Sequence, residues 1–203
     1  MTYKGKIAMG KTIGILLAGG RSSRYGTEKA FADVLGKSFY EASYHVLESV
    51  CDEVIVVTRK DLVHQFPSTY QVIIDIDKYV GCGPLAGIYS AMMYKEAENY
   101  VVLPCDVPLM SKDIMQKLIR KHKTDITVVE ADGRIQSLIS VWHCLTKDKI
   151  AQALEKNQYR IRDVFKTTSI MKVDGSSLTA HQEVFMNVNT LEQDKEMRKW
   201  LKS

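Results

Sequence analysis

Gly19 and Gly20 directly follow the apolar run at positions 12–17, and Arg21, Arg24 and Lys29 come within the next nine residues. Paired glycines let a backbone approach a ligand closely and turn its N–H groups onto an anion. Arginine forks onto phosphate oxygens, whereas lysine supplies a compact point charge. Ser22, Ser23 and Thr27 add hydroxyls to the same stretch. A plain turn needs one glycine, not two with three cations behind a buried strand. The residue types therefore point to a grip on a nucleoside triphosphate. Asp75 and Asp106 close two other apolar runs, and a carboxylate such as Asp106 suits Mg²⁺, which takes one or two carboxylates together with phosphate oxygens. Plainer readings stand beside these. Asp106 also suits a turn or helix cap, Asp75 and Asp77 a solvated loop, and Asn187 and Asn189 a turn closed by side-chain bonds to backbone.

A second glycine–lysine element is a decoy. Gly5 to Thr12 reads G-K-I-A-M-G-K-T and satisfies the P-loop pattern letter for letter. A working P-loop needs a strand before it and a helix after it. Only four residues precede Gly5, and a β-branched strand follows Lys11.

These signals need a scaffold that gathers strand ends. Strands are expected at 12–17, 53–58, 71–75 and 99–103, alternating with helices at 39–50, 85–94 and 111–122, the last capped by Ser111. Strands at 125–130 and 135–142 flank the turn signal Asp132-Gly133. Helices at 147–155 and 160–165, short strands at 168–173 and 184–186, and a helix at 191–201 behind Thr190 complete the pattern. The alternation predicts an α/β fold, a three-layer α/β/α Rossmann-like arrangement with a mostly parallel, mixed central sheet. In such sheets ligands bind at the carboxyl ends of the strands, where the glycine loop, Asp75 and Asp106 all fall. A single domain over 1–203 is expected, with about 12–110 on the nucleotide side and about 111–203 on the acceptor side.

Composition narrows the class. The 203 residues are 45% hydrophobic and 26% charged, with net charge +4, which suits an anionic small molecule and is too diffuse to argue for nucleic acid. Cys51, Cys82, Cys105 and Cys144 are scattered without a C-x-x-C pair, which disfavours zinc and fits reduced thiols in a cytoplasmic protein. Cys105 reads as a small filler at a strand end. No apolar run approaches the ~20 residues of a membrane span, and the first residues lack a signal-peptide core.

The motif L-A-G-G-x-S-x-R-x-G-x-x-K from Leu17 to Lys29 resembles the nucleotidyltransferase family of sugar-nucleotide pyrophosphorylases and molybdenum cofactor nucleotidyltransferases. Gly83-Pro84-Leu85-Ala86-Gly87, Cys105-Asp106-Val107-Pro108 and Asn187-Val188-Asn189-Thr190 are similar to elements of its guanylyltransferase branch. Together they cover nearly the whole chain. The resemblance implies that GMP passes from GTP to the phosphate of molybdopterin cofactor with release of pyrophosphate. It implies GTP contacts for Leu17, Ala18, Gly19, Gly20, Lys29, Asp75, Gly83, Gly87 and Asp106. Asp106 would hold Mg²⁺, Arg24 and Lys29 would stabilise the departing pyrophosphate, and Arg160 (with Arg162 as a near competitor), Asn187 and Asn189 would face the acceptor. Transient partners that deliver the cofactor or accept the product are also implied. Glu28, Thr58 and Ser137 depart from residues common among relatives at those positions. A cytidylyl- or sugar-nucleotide transferase, or a nucleotide-binding module without catalysis, stays open at this point.

Overall fold

The computed structural model describes residues 10–20, 28–34 and 36–200. In chain order, β1 (Thr12–Leu17) leads to a two-stranded hairpin of β2 (Asp33–Val34) and β3 (Lys37–Ser38). There follow α1 (Phe39–Glu48), β4 (Glu53–Val57), β5 (Gln71–Ile73), α2 (Pro84–Tyr94), β6 (Asn99–Pro104) and α3 (Lys112–Lys121). The second half adds β7 (Ile126–Ala131), β8 (Arg134–His143), α4 (Lys147–Glu155), α5 (Ile161–Phe165), β9 (Ile170–Asp174) and α6 (Leu191–Trp200).

One sheet runs β5-β4-β1-β6-β8-β7-β9. β5, β4, β1 and β6 are parallel neighbours, β8 opposes both β6 and β7, and β9 runs with β7. Only β8 is reversed, so the other strands deliver their carboxyl ends to one edge. The reversal follows from a tight turn: Asp132 and Gly133 both have positive φ (50° and 68°), the primed geometry that folds β8 straight back on β7.

Both faces of the sheet are covered. Leu16, Val54, Val56, Val101, Leu103 and Val129 point into a core with α1 and α3. Their sequence neighbours Ile13, Ile15, Ile55, Val57, Val102 and Val128 point the other way, into a core with α2, α4 and α5. This period of two on strands without a polar face explains why the runs read as continuously apolar. A third, smaller core joins Val34, Phe39, Val188 and Met197 and docks α6 against the hairpin and α1.

Most elements fall where the periodicity predicts, with ends shifted by a residue or two. Residues 184–186 are the exception, because the expected strand is part of a 3-10 helix, Gln182–Phe185. Phe185 is buried against Gly175, where a Cβ would lie 2.8 Å from its ring. The apolar run fills a notch rather than an edge of the sheet, a choice that three residues cannot specify.

Candidate active site

The site lies at the carboxyl edge of the sheet. Ala18 N donates to Val57 O (2.9 Å), and the buried Thr58 hydroxyl donates to Ala18 O (3.1 Å). The exits of β1 and β4 are therefore tied together. Gly19 lies against the Thr58–Arg59 backbone, where an added Cβ would just touch, and no described residue lies within 4 Å of one on Gly20. Among the described residues, packing demands neither glycine, and residues without a Cβ allow a ligand to approach the backbone at the end of β1 closely.

Lys29 starts the 3-10 turn Lys29–Phe31. Phe31 anchors that turn, with its ring 5.3 Å from Tyr40 and 5.1 Å from Phe66. The Lys29 Nζ donates to Asp106 Oδ2 (3.0 Å) and to Asn189 Oδ1 (2.6 Å). The Lys29 and Asp106 side chains are only 12% and 19% exposed, so this contact is sheltered from screening.

Asp106 is held by backbone on both sides. Cys105 N donates to Leu17 O (3.1 Å), and Asp106 O accepts from Val188 N (2.8 Å). Val188 is buried in the third core, which fixes the Asn187–Thr190 segment beside the end of β6. A capping box then orients Asn189. Gln193 Oε1 accepts from the N–H groups of Asn189 (2.7 Å) and Thr190 (3.2 Å), and Thr190 Oγ1 accepts from Gln193 N (3.2 Å).

The second carboxylate oxygen, Asp106 Oδ1, is buried and has no hydrogen-bond partner among the described residues. Leaving a charged acceptor unsatisfied is expensive, so the position fits a bound cation. Buried side-chain oxygens of Gln71, Asn99 and Asp194 also lack partners among the described residues. Gln71 and Asn99 open their strands at the opposite edge, and Asp194 lies within α6 and pairs through its other oxygen with Arg198. Among the described residues no three His, Cys, Asp or Glu side chains gather into a metal cluster. A single carboxylate supplemented by phosphates and water matches the habit of Mg²⁺.

Asp75 lies past the end of β5, two strands away from β1, on the side of the sheet covered by α2. A Cβ on Gly87 would meet Leu17 Cδ2 at 3.1 Å, Val57 Cγ1 at 3.2 Å and Asp75 Oδ1 at 3.6 Å. Gly87 thus lets α2 press onto β1 and β4 with the Asp75 carboxylate alongside. Burial raises the Asp75 pKa, and a bond from the Gly81 N–H works in the opposite direction. Gly83 precedes Pro84 with φ +82°, which opens α2 toward the same edge. At the usual strand spacing, Asp75 and Asp106 stand about 14 Å apart along the edge.

The remaining expected residues separate. Arg24, with Arg21, Ser22, Ser23 and Thr27, lies outside the described residues. Asn187 is exposed beside buried Val188. Arg160 is exposed at the start of α5, whose Ile161 and Val164 pack in the core with α2 and α4. It therefore stands across the sheet from Asn187 and Asn189. Cys105 is buried and its thiol is pushed up to about 12, which makes it a poor nucleophile. One residue escaped the sequence reading: Arg59, which reaches both Gly20 and Glu28. Its only hint was its place just beyond the strand expected at 53–58.

Residues 14–203 match the profile of the MobA-like NTP transferase domain. The chain is 37% identical over 186 residues to a probable molybdenum cofactor guanylyltransferase of a Geobacillus species, covering 90% of this chain and 95% of that one. A Bacillus anthracis protein of the same description is 36% identical over 189 residues, 91% and 94% of the two chains. Among solved structures, the molybdopterin-guanine dinucleotide biosynthesis protein A of Archaeoglobus fulgidus superposes with a TM-score of 0.79. It is 19% identical, with 94% of this chain and 98% of that one covered, and so speaks for the fold. A putative Aquifex aeolicus protein gives a TM-score of 0.70 at 26% identity, with 89% and 94% covered. With a family profile spanning nearly its whole length and relatives above one-third identity, the chain belongs to the MobA-like NTP transferase family.

Proposed function

We propose that this chain is a molybdenum cofactor guanylyltransferase, which transfers GMP from GTP to the phosphate of molybdopterin cofactor. The observation that carries the reading is the Lys29–Asp106–Asn189 cluster at the strand ends, with Asp106 Oδ1 buried and unsatisfied. It is supported by guanylyltransferase relatives at 36–37% identity.

In this reading a phosphate oxygen of the pterin attacks the α-phosphorus of GTP. The bond from that phosphorus to the α–β bridging oxygen breaks, and pyrophosphate leaves with the electron pair. Such transfers depend on positioning and charge neutralisation more than on covalent help. Mg²⁺, held by Asp106 and phosphate oxygens, would neutralise charge around the α-phosphate. Lys29, kept in place by Asp106 and Asn189, would carry its charge to the phosphate chain, with Arg24 as a second cation. Leu17, Ala18, Gly19 and Gly20 would line the nucleotide, while Asp75, Gly83 and Gly87 would flank its nucleoside end. Arg160 and Asn187 would approach the acceptor from opposite sides of the sheet. Guanine preference rests on the relatives. No helix among the described residues is long and apolar enough to cross a membrane, and a cytoplasmic site with transient cofactor-delivering and product-accepting partners belongs to the same proposal.

The test is incubation with GTP, molybdopterin cofactor and Mg²⁺, followed by mass spectrometry. Guanine dinucleotide and pyrophosphate should form in equal amounts. Product from CTP but not GTP would replace guanylyl by cytidylyl transfer, and unchanged substrates would leave only a binder.

A further inference from the structure

Arg59 closes a bridge between the two ends of the glycine loop. Its Nη2 donates to Glu28 Oε1 (2.6 Å), and its Nη1 reaches Gly20 O (3.3 Å) and Glu28 Oε2 (3.4 Å). Asp61 braces the other side of the guanidinium, accepting from Nε (3.1 Å) and Nη2 (2.9 Å). Gly20 and Glu28 are the described residues that flank positions 21–27, and Lys29 follows Glu28 directly. The backbone of Arg59 also lies against Gly19.

The electrostatics say what this arginine is suited for. Two carboxylates already neutralise it, and their hydrogen bonds hold its pKa above that of a free guanidinium. A cation so engaged is poorly placed to fork onto phosphate. Its planar donors instead join a carbonyl and a carboxylate from opposite ends of one loop, which a lysine cannot do at once.

We infer that Arg59 is a positioning residue: its guanidinium ties Gly20 and Glu28 to the end of β4 and thereby sets where Lys29 meets Asp106 and the nucleotide. The inference rests on the proposed GTP site. An ordinary surface ion pair would contribute little to stability and leave nucleotide affinity alone. Bridging two segments across a binding edge has a further consequence, because misplacing a positioned charge by about 1 Å can lower rate ~100-fold.

The test compares Arg59→Ala, Arg59→Lys, Glu28→Gln and the double variant R59A/E28Q. GTP titration calorimetry, steady-state kinetics and amide hydrogen exchange of the nucleotide-free protein are the readouts. R59A should weaken GTP binding and kcat/KM roughly 30-fold, with KM for the acceptor unchanged and little rescue by R59K. R59A/E28Q should fall no further than R59A, since both remove the same bridge. The Phe31 and Ala32 amides, bonded to Glu28 O and Lys29 O, should exchange about tenfold faster in R59A. Unchanged exchange, additive losses in the double variant or full rescue by lysine would each overturn the inference. If the wild type ignores GTP altogether, the guanylyltransferase reading fails, and the exchange comparison still decides whether Arg59 holds Glu28 and Lys29 in place.

Discussion

Lys11 and Lys29 stand at opposite edges of the same sheet, each at the end of a glycine–lysine motif, and their surroundings could hardly differ more. At the amino edge, Lys11 pairs with Glu53 at 2.5 Å, and Lys95 pairs with the other oxygen of the same carboxylate. The two lysines hold the Glu53 carboxyl down at about 2 and leave both of its oxygens occupied. At the carboxyl edge, Lys29 is shared between Asp106 and Asn189, and Asp106 keeps one buried oxygen without a partner among the described residues. Saturated polar groups close a structure, whereas a sheltered unsatisfied one leaves room for a ligand. The perfect P-loop match leads into strand β1 rather than a helix, and its lysine is tied to Glu53.

That contrast can be broken by mutation. The largest effect is expected from Asp106→Ala, which should lower kcat by about 10³-fold or more while the thermal transition moves little. Near-normal turnover would remove Asp106 from the chemistry. Lys29→Ala should cost on the order of 100-fold in kcat/KM with GTP, whereas Lys11→Ala should stay within about twofold of wild type. Loss of activity in the Lys11 variant would restore the P-loop reading.

Stability should show the opposite ranking. Glu53→Gln should leave catalysis unchanged and destabilise the fold by about 0.5–1 kcal/mol at neutral pH, the range of partly exposed ion pairs. The Glu53 pKa is lower in the folded chain than in the unfolded one. Its contribution is therefore present above about 4.5 and lost as pH falls toward about 2, where wild type and E53Q should converge in denaturant titrations.

The smallest effect sharpens the site from its other end. Burial raises the Asp75 pKa, so its charged form costs stability at neutral pH. Asp75→Asn should raise Tm slightly above the folded-state pKa and lose that advantage at acid pH, where the native carboxyl is itself protonated. The same variant should weaken GTP binding, and a variant with neither change would exclude Asp75 from the site.

Much of this was legible from local pattern. The strands at 12–17, 53–58 and 99–103 were visible because buried parallel strands carry no polar face, and Gly19, Gly20 and Asp106 could be placed at their ends for the same reason. Lys29 could be singled out as a cation near paired glycines. Its neighbour Asn189 could only be read as a turn former or an acceptor contact, because 160 residues separate the two. Arg59 went unread because an arginine after a strand carries no periodicity, and its significance depends on reaching Gly20 and Glu28 at once.

The sequence by itself determined the alternating elements, the turn at Asp132-Gly133 and the residue chemistry at the strand ends, since periodicity and backbone preference act over a few residues. Only the tertiary structure decided which ends meet. Val188 had to find its buried place beside Phe39 and Met197 before Asn189 could reach Lys29. Sheet order had to set Glu53 between two lysines before Lys11 could be recognised as structural. Both outcomes depend on burial shared among distant segments, which no local window of residues contains.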